Sequence, residues 1–174
     1  RQNIVVPMAG AGSRFEKAGY SFPKPLIEVK GQPMIAKVVE NLDLQGTYIF
    51  LVQKAHYDQY NLESLLKMIA PGCKIVQIDG VTEGAACTVL KAKEFIDNDE
   101  QLIIANSDQW IKWNSFETIS SFNDADGGIL TFKSVHPKHS FAKVDGYGFV
   151  TEVAEKNPIS SDATVGIYHW KRGS

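Results

Sequence analysis

The chain has 174 residues, 44% of them apolar and 22% charged, with a formal net charge of −2. That length suits one domain with a sizeable core, and the charge argues against a nucleic acid or an anionic membrane surface as main partner, though not against a small polyanion met by a few local cations. No apolar run approaches the roughly 20 residues that cross a bilayer, and Cys73 and Cys87 lack metal-site spacing, so they read as two buried thiols of a reducing compartment, with one disulfide as the alternative, and the cytoplasm is the expected location.

Along the chain, Ile4, Val5 and Val6 predict a buried strand over 3–7 that runs into a glycine-spaced turn at Gly10 and Gly12. A helix over 33–43 follows, with Pro33 at its first position and Met34, Ile35, Val38, Val39 and Leu42 at helical spacing. Next come a strand over 48–53 and a helix over 57–69, in which Leu62, Leu65, Leu66 and Ile69 form one stripe ended by Pro71-Gly72. Strands over 74–78 and 102–105 alternate with helices over 84–96 and 115–122. Beyond them, strands over 128–134, 141–144, 147–153 and 163–170 crowd together around Gly146 and Gly148, as antiparallel hairpins do. The pattern predicts an α/β fold: a Rossmann-like mixed, mostly parallel central sheet with helices on both faces. No repeat, low-complexity segment or linker divides the chain, so 1–174 reads as a single domain.

In such a sheet, ligands bind outside the carboxyl ends of the strands. Four segments meet that condition: 8–24, 79–86, 106–110 and 145–158. The first holds Gly10-Ala11-Gly12, Arg14 and the sequence Pro23-Lys24-Pro25. Glycines let backbone N–H groups approach phosphate oxygens, and the two cations offset their charge. Proline on both sides restricts the backbone around Lys24. Neither a dinucleotide fingerprint, which needs a third glycine at Phe15, nor a P-loop, which needs Gly-Lys-Ser/Thr, is present. At the end of an apolar strand, Asp108 supplies a hard oxygen ligand that, with phosphates, favours Mg²⁺. Thr82-Glu83-Gly84-Ala85-Ala86 leaves bare backbone against which a flat nucleobase could lie, or against which a helix could simply pack. Glu155-Lys156 offers an adjacent acid and base to one ligand's hydroxyl and phosphate. His136 and His139 lack further metal ligands.

Taken together, these positions resemble the sugar-phosphate nucleotidyltransferases, the NDP-sugar pyrophosphorylase-like group. The resemblance is carried by Gly10-Ala11-Gly12-Ser13-Arg14 after the first strand and by Pro23-Lys24-Pro25-Leu26. Gly84-Ala85-Ala86, Asp108, Tyr147-Gly148-Phe149-Val150, Glu155-Lys156 and Val165-Gly166-Ile167-Tyr168 then follow in the family's order. It implies a nucleotide-diphospho-sugar transferase fold and Mg²⁺-dependent transfer of a nucleotidyl group from an NTP to a phosphorylated acceptor, a sugar phosphate or similar small phosphate, with release of pyrophosphate. Arg14, Lys24 and Asp108 would be catalytic, with Asp108 also the metal ligand. Ala9, Gly10, Ala11, Gly12, Arg14, Lys24 and Gly84 would hold the nucleotide, and Gly148, Glu155 and Lys156 the acceptor.

The closest flavour is that of small bacterial surface-polysaccharide enzymes, which leans to a pyrimidine nucleotide; association into homo-oligomers stays open. Three features depart from the family pattern. The family's Glu-Lys-Pro is Glu155-Lys156-Asn157-Pro158 here, the initial loop has one glycine fewer than some members, and Ser174 precedes the place of a second metal-binding carboxylate, so the domain reads as truncated at its carboxyl end. Two alternatives remain at this point: a non-catalytic nucleotide or nucleotide-sugar binding domain, and a glycosyltransferase of the same fold. Asp108-Gln109-Trp110 in place of Asp-x-Asp speaks against the last.

Overall fold

The computed structural model of the protein describes residues 1–10 and 22–174. β1 (Gln2–Pro7) buries Asn3, Ile4, Val5 and Val6 in succession, as a strand covered on both faces must. Lys24–Leu26 form one 3₁₀ turn. β2 (Glu28–Val29) and β3 (Gln32–Pro33) then close a tight hairpin over Lys30 and Gly31, whose φ values of 49° and 81° suit a type I′ turn. The sequence pattern missed this pair, because two-residue strands carry no periodicity. Pro33 precedes α1 (Met34–Leu42) as its cap instead of occupying its first position; Ile35, Val38 and Leu42 form the helix's buried stripe.

β4 (Thr47–Gln53) buries five consecutive residues. The single helix expected over 57–69 is two, α2 (Lys54–Tyr60) and α3 (Leu62–Ile69), because Asn61 takes a left-handed conformation with φ 48°. Asparagine tolerates that region better than most residues. After β5 (Lys74–Ile78) the helix expected over 84–96 is likewise divided, into α4 (Ala85–Leu90) and α5 (Lys93–Ile96), at Ala92, where ψ opens to 10°. β6 (Gln101–Ala105) and α6 (Ser115–Ser120) follow, the latter capped by the Asn114 side chain accepting from the Glu117 N–H at 3.1 Å.

The remaining strands are β7 (Gly127–Lys133), β8 (Ser140–Val144), β9 (Val150–Glu155) and β10 (Asp162–Trp170). β9 starts three residues later than the sequence suggested. The Asp145 carboxylate accepts from the N–H groups of Tyr147 (2.9 Å) and Phe149 (3.0 Å), which folds 145–149 into a turn.

Among the described residues the main sheet has eight strands, in the order β5-β4-β1-β6-β10-β8-β9, with β7 also paired to β10. β5, β4, β1 and β6 are mutually parallel, and every pairing beyond β6 is antiparallel. Helices cover both faces. Ile4, Val6, Phe50 and Val52 share one core with Ile35, Val38, Leu42, Leu62 and Leu66, while Val5, Ile49 and Leu51 share another with Val89, Ala92 and Ile96. The alternation along β1 and β4 assigns successive side chains to opposite faces. The expected mixed, mostly parallel α/β sheet is therefore the observed one. Cys73 is buried, Cys87 partly so, and both are free thiols.

Candidate active site

Parallel sheets leave room for ligands beyond the carboxyl ends of their strands; here loops follow β1, β5 and β6 at that end, and β4 ends there on Gln53, directly before α2. The chain leaves β1 through Met8, whose N–H still donates to Leu51 O at 2.8 Å, so the strand's path is held for one residue more. Ala9 is buried and Gly10 exposed. Among the described residues, a Cβ at Gly10 would meet nothing within 4 Å. The expected site residues Ala11, Gly12 and Arg14 lie outside the described residues.

Pro23 and Pro25 are buried on either side of a half-buried Lys24. The 3₁₀ turn closes through Leu26 N–H to Pro23 O (2.9 Å) and Ile27 N–H to Lys24 O (3.1 Å). The prolines thus anchor the turn in the protein, and the lysine between them is directed by a backbone with little freedom. Its ammonium pairs with the Asp108 carboxylate, 84 residues away in sequence. Both side chains keep about a third of their surface in contact with solvent, 33% for Lys24 and 39% for Asp108. The pair stands at an accessible rim.

Asp108 owes its place to β6 and to the strap that follows. Asn106 N–H donates to Gly166 O at 3.0 Å, which ties the end of β6 to β10. Further on, the Asn41 side chain pairs with the main chain of Ile111 in both directions, donating to its carbonyl (2.7 Å) and accepting from its N–H (2.9 Å). The Trp113 indole N–H donates to Asn41 O at 2.9 Å. α1 thereby fixes the path of residues 111–113. Neither this use of Asn41 nor its strap was foreseen from the sequence.

Gly84 is exposed and caps α4, its carbonyl accepting from the N–H and hydroxyl of Thr88 at 3.0 and 3.1 Å. Its turn is tied to the loop after β1 by Gln53, the last residue of β4. The Gln53 amide nitrogen donates to Ala9 O at 2.7 Å and to Gly80 O at 3.0 Å. Gln53 too was missed; the one available signal was a polar residue closing an apolar strand at the ligand end of the sheet.

Glu155 and Lys156 reach the same end by a different route. β8 meets β10 at Ala163, beyond the Ile167–Ala105 pairing that ends β6, and on the edge of β10 that β6 also uses. The β8–β9 hairpin therefore overhangs the carboxyl end of β6. β9 runs back toward it, ending with Glu155 opposite Ser140. Lys156, at φ 54°, donates its N–H to His139 O at 3.0 Å, and its ammonium pairs with Glu155 at 3.1 Å. Gly148 lies at the far tip of this hairpin, with φ 86° and its N–H bound to Asp145 O. It is the turn's glycine, and a hairpin's length separates it from Glu155.

The chain matches the nucleotidyl transferase family model over residues 4–174. It belongs to the nucleotidyl transferase family. Among similar proteins is the bifunctional protein GlmU of Methanococcus aeolicus, 27% identical over 174 residues that make up 97% of this chain and 40% of that one. Another is the low-salt glycan biosynthesis nucleotidyltransferase Agl11 of Haloferax volcanii, 27% identical over 175 residues, 94% of this chain and 48% of that one. The chain thus spans less than half the length of these curated relatives. Among solved structures, the nucleoside-diphosphate-sugar pyrophosphorylase of Vibrio cholerae superposes with a TM-score of 0.79 at 27% identity, covering 97% of this chain and 73% of that one. The nucleotide-diphospho-sugar transferase fold expected for this family member is the one the structure adopts.

Asp108 offers a single carboxylate, a hard oxygen donor that here is paired with Lys24. Among the described residues no group of three or more His, Cys, Asp or Glu converges. The protein would supply one carboxylate, and phosphate oxygens and water the remaining ligands, which is how Mg²⁺ is commonly held.

Proposed function

We propose that this chain is the catalytic region of an enzyme that moves a nucleotidyl group from an NTP to a phosphorylated small-molecule acceptor and releases pyrophosphate. One observation carries the reading: Lys24 and Asp108, from distant parts of the chain, meet at a solvent-accessible rim over the carboxyl ends of β1 and β6. A cation and a metal-ligating anion placed side by side serve a polyphosphate and its counter-ion at once.

In the reaction, an acceptor phosphate oxygen attacks the α-phosphorus. A new P–O bond forms as the bond from the α-phosphorus to the bridging oxygen breaks, and pyrophosphate leaves with that electron pair. A phosphate monoester is largely ionised at neutral pH (second pKa about 6), so no general base is needed. The chain's own work is positioning and charge stabilisation. Lys24 braces phosphate oxygens at the reacting centre, and Arg14 holds the leaving pyrophosphate. Ala9 to Gly12 present backbone to the phosphates, and the Gly84 turn receives the base. Glu155 and Lys156 orient the acceptor from the overhanging hairpin, with Gly148 shaping its tip. Asp108 is the residue that would hold Mg²⁺, which when bound offsets the phosphates' negative charge.

A pyrimidine nucleotide is the favoured donor and a sugar phosphate the favoured acceptor, in a reducing cytoplasm. Pyrophosphate release with each NTP, Mg²⁺ and a panel of sugar phosphates tests the reading. Lys24→Ala and Asp108→Asn should each lower turnover by on the order of 10²–10³. Unchanged turnover in both variants, or NTP binding with no pyrophosphate from any acceptor, would overturn it.

A further inference from the structure

We infer that Gln53 is a positioning residue for the nucleotide: its side-chain amide sets the direction of the backbone N–H groups at Gly10 and Val81. The inference rests on the nucleotide reading of the site and adds to it a residue outside the family resemblance.

The two hydrogens of a carboxamide nitrogen lie in one plane at a fixed angle. Both are used here, one on Ala9 O (2.7 Å) and the other on Gly80 O (3.0 Å). Those carbonyls come from different loops, the first following β1 and the second following β5. A rigid fork between them fixes the loops' spacing as well as their orientation.

The direction matters because a trans peptide is planar, so its C=O and N–H point opposite ways. Drawing Ala9 O toward Gln53 turns the Gly10 N–H away from Gln53. Gly10 is exposed, and among the described residues nothing lies within 4 Å of where a Cβ would stand, so no described residue blocks approach to its backbone. The same argument applies to the Gly80–Val81 peptide, where φ of 78° at Gly80 gives the chain a turn that favours glycine. Without the fork, each peptide could rotate and present its carbonyl oxygen. A phosphate meeting a carbonyl is repelled where it would otherwise have been bound.

Substituents at position 53 should therefore rank by donors. Gln53→Lys keeps N–H groups for both carbonyls, Gln53→Leu removes them, and Gln53→Glu aims a carboxylate at two carbonyl oxygens. The NTP that binds wild-type protein best, with Mg²⁺, is titrated into each variant, and KM is measured separately for NTP and acceptor. The expected order of NTP affinity is Gln, Lys, Leu, Glu. Gln53→Leu should lose on the order of tenfold, while the acceptor KM stays within about twofold.

An NTP affinity within twofold of wild type in folded Gln53→Leu and Gln53→Glu overturns the inference and leaves the nucleotide reading standing. A wild-type protein that binds no NTP overturns both. Should those two variants not fold, Gln53→Lys and the wild-type side-chain amide still decide. The Gln53 amide protons should exchange slowly with solvent and the Gly10 amide should shift on adding NTP; free exchange with no shift refutes the fork.

Discussion

Burying an imidazole without a hydrogen-bond partner makes stability depend on pH, and His169 is such a residue. It is 1% exposed on β10, stacked on Phe122 with ring centroids 5.6 Å apart, and neither ring nitrogen has a partner among the described residues. Burial holds its pKa below the ordinary value near 6.5, because the charged form loses its water. The unfolded chain then takes up the proton first on acidification. The stability owed to a neutral His169 is complete above about pH 6.5 and is lost as pH falls from there through the folded-state pKa. His169→Leu should raise the urea midpoint at pH 5 more than at pH 8; an equal shift at both would show that the ring is not the titrating group. At this scale the sequence was partly legible. Lys24 stood out because prolines on both sides are a local, one-dimensional signal. Gln53 and Asn41 did not, because their partners are main-chain groups 44 and 70 residues away, and any polar side chain can reach a carbonyl.

Among the elements, β10 carries the most constraint. Its pairing with β7 shifts register between Thr164 and Tyr168, and Gly166 sits in that bulge with φ 93°. A Cβ there would lie 2.1 Å from Asn106 Nδ2 and 2.8 Å from Gln109 Oε1, the residues flanking the loop of Asp108. Gly166→Ala should cost about 1–3 kcal/mol for the left-handed backbone, and should also lower turnover, since Asn106 must move. A urea midpoint and turnover both matching wild type would contradict this. The buried strands of the main sheet were readable because an uninterrupted apolar run has few other uses. Helix limits were not: Asn61 and Ala92 break helices whose apolar spacing continues across the break, and the Asp145 turn shortens a strand whose residues still favour extended backbone.

For the molecule as a whole, the parallel and antiparallel halves of the sheet meet on β10. The strand is bonded to β6, β7 and β8, yet it follows all of them along the chain. Pairings this distant in sequence slow folding. In a pulse-labelled exchange experiment, amides of β1 and β4 should therefore gain protection before those of β7 and β10; simultaneous protection would show a single concerted step. The overall architecture could be read from strand–helix alternation alone. The overhanging hairpin could not, because it depends on which edge of β10 each partner takes.

That late keystone also bears on how the protein is made. A ribosome extending the chain at roughly 5–20 residues per second finishes β6 several seconds before β10 emerges. Through that interval the nascent sheet presents the outer edge of β6 as a row of unanswered peptide groups, ready to zip onto any neighbouring strand. The newborn protein is most exposed to misassembly along the seam that later carries Asp108.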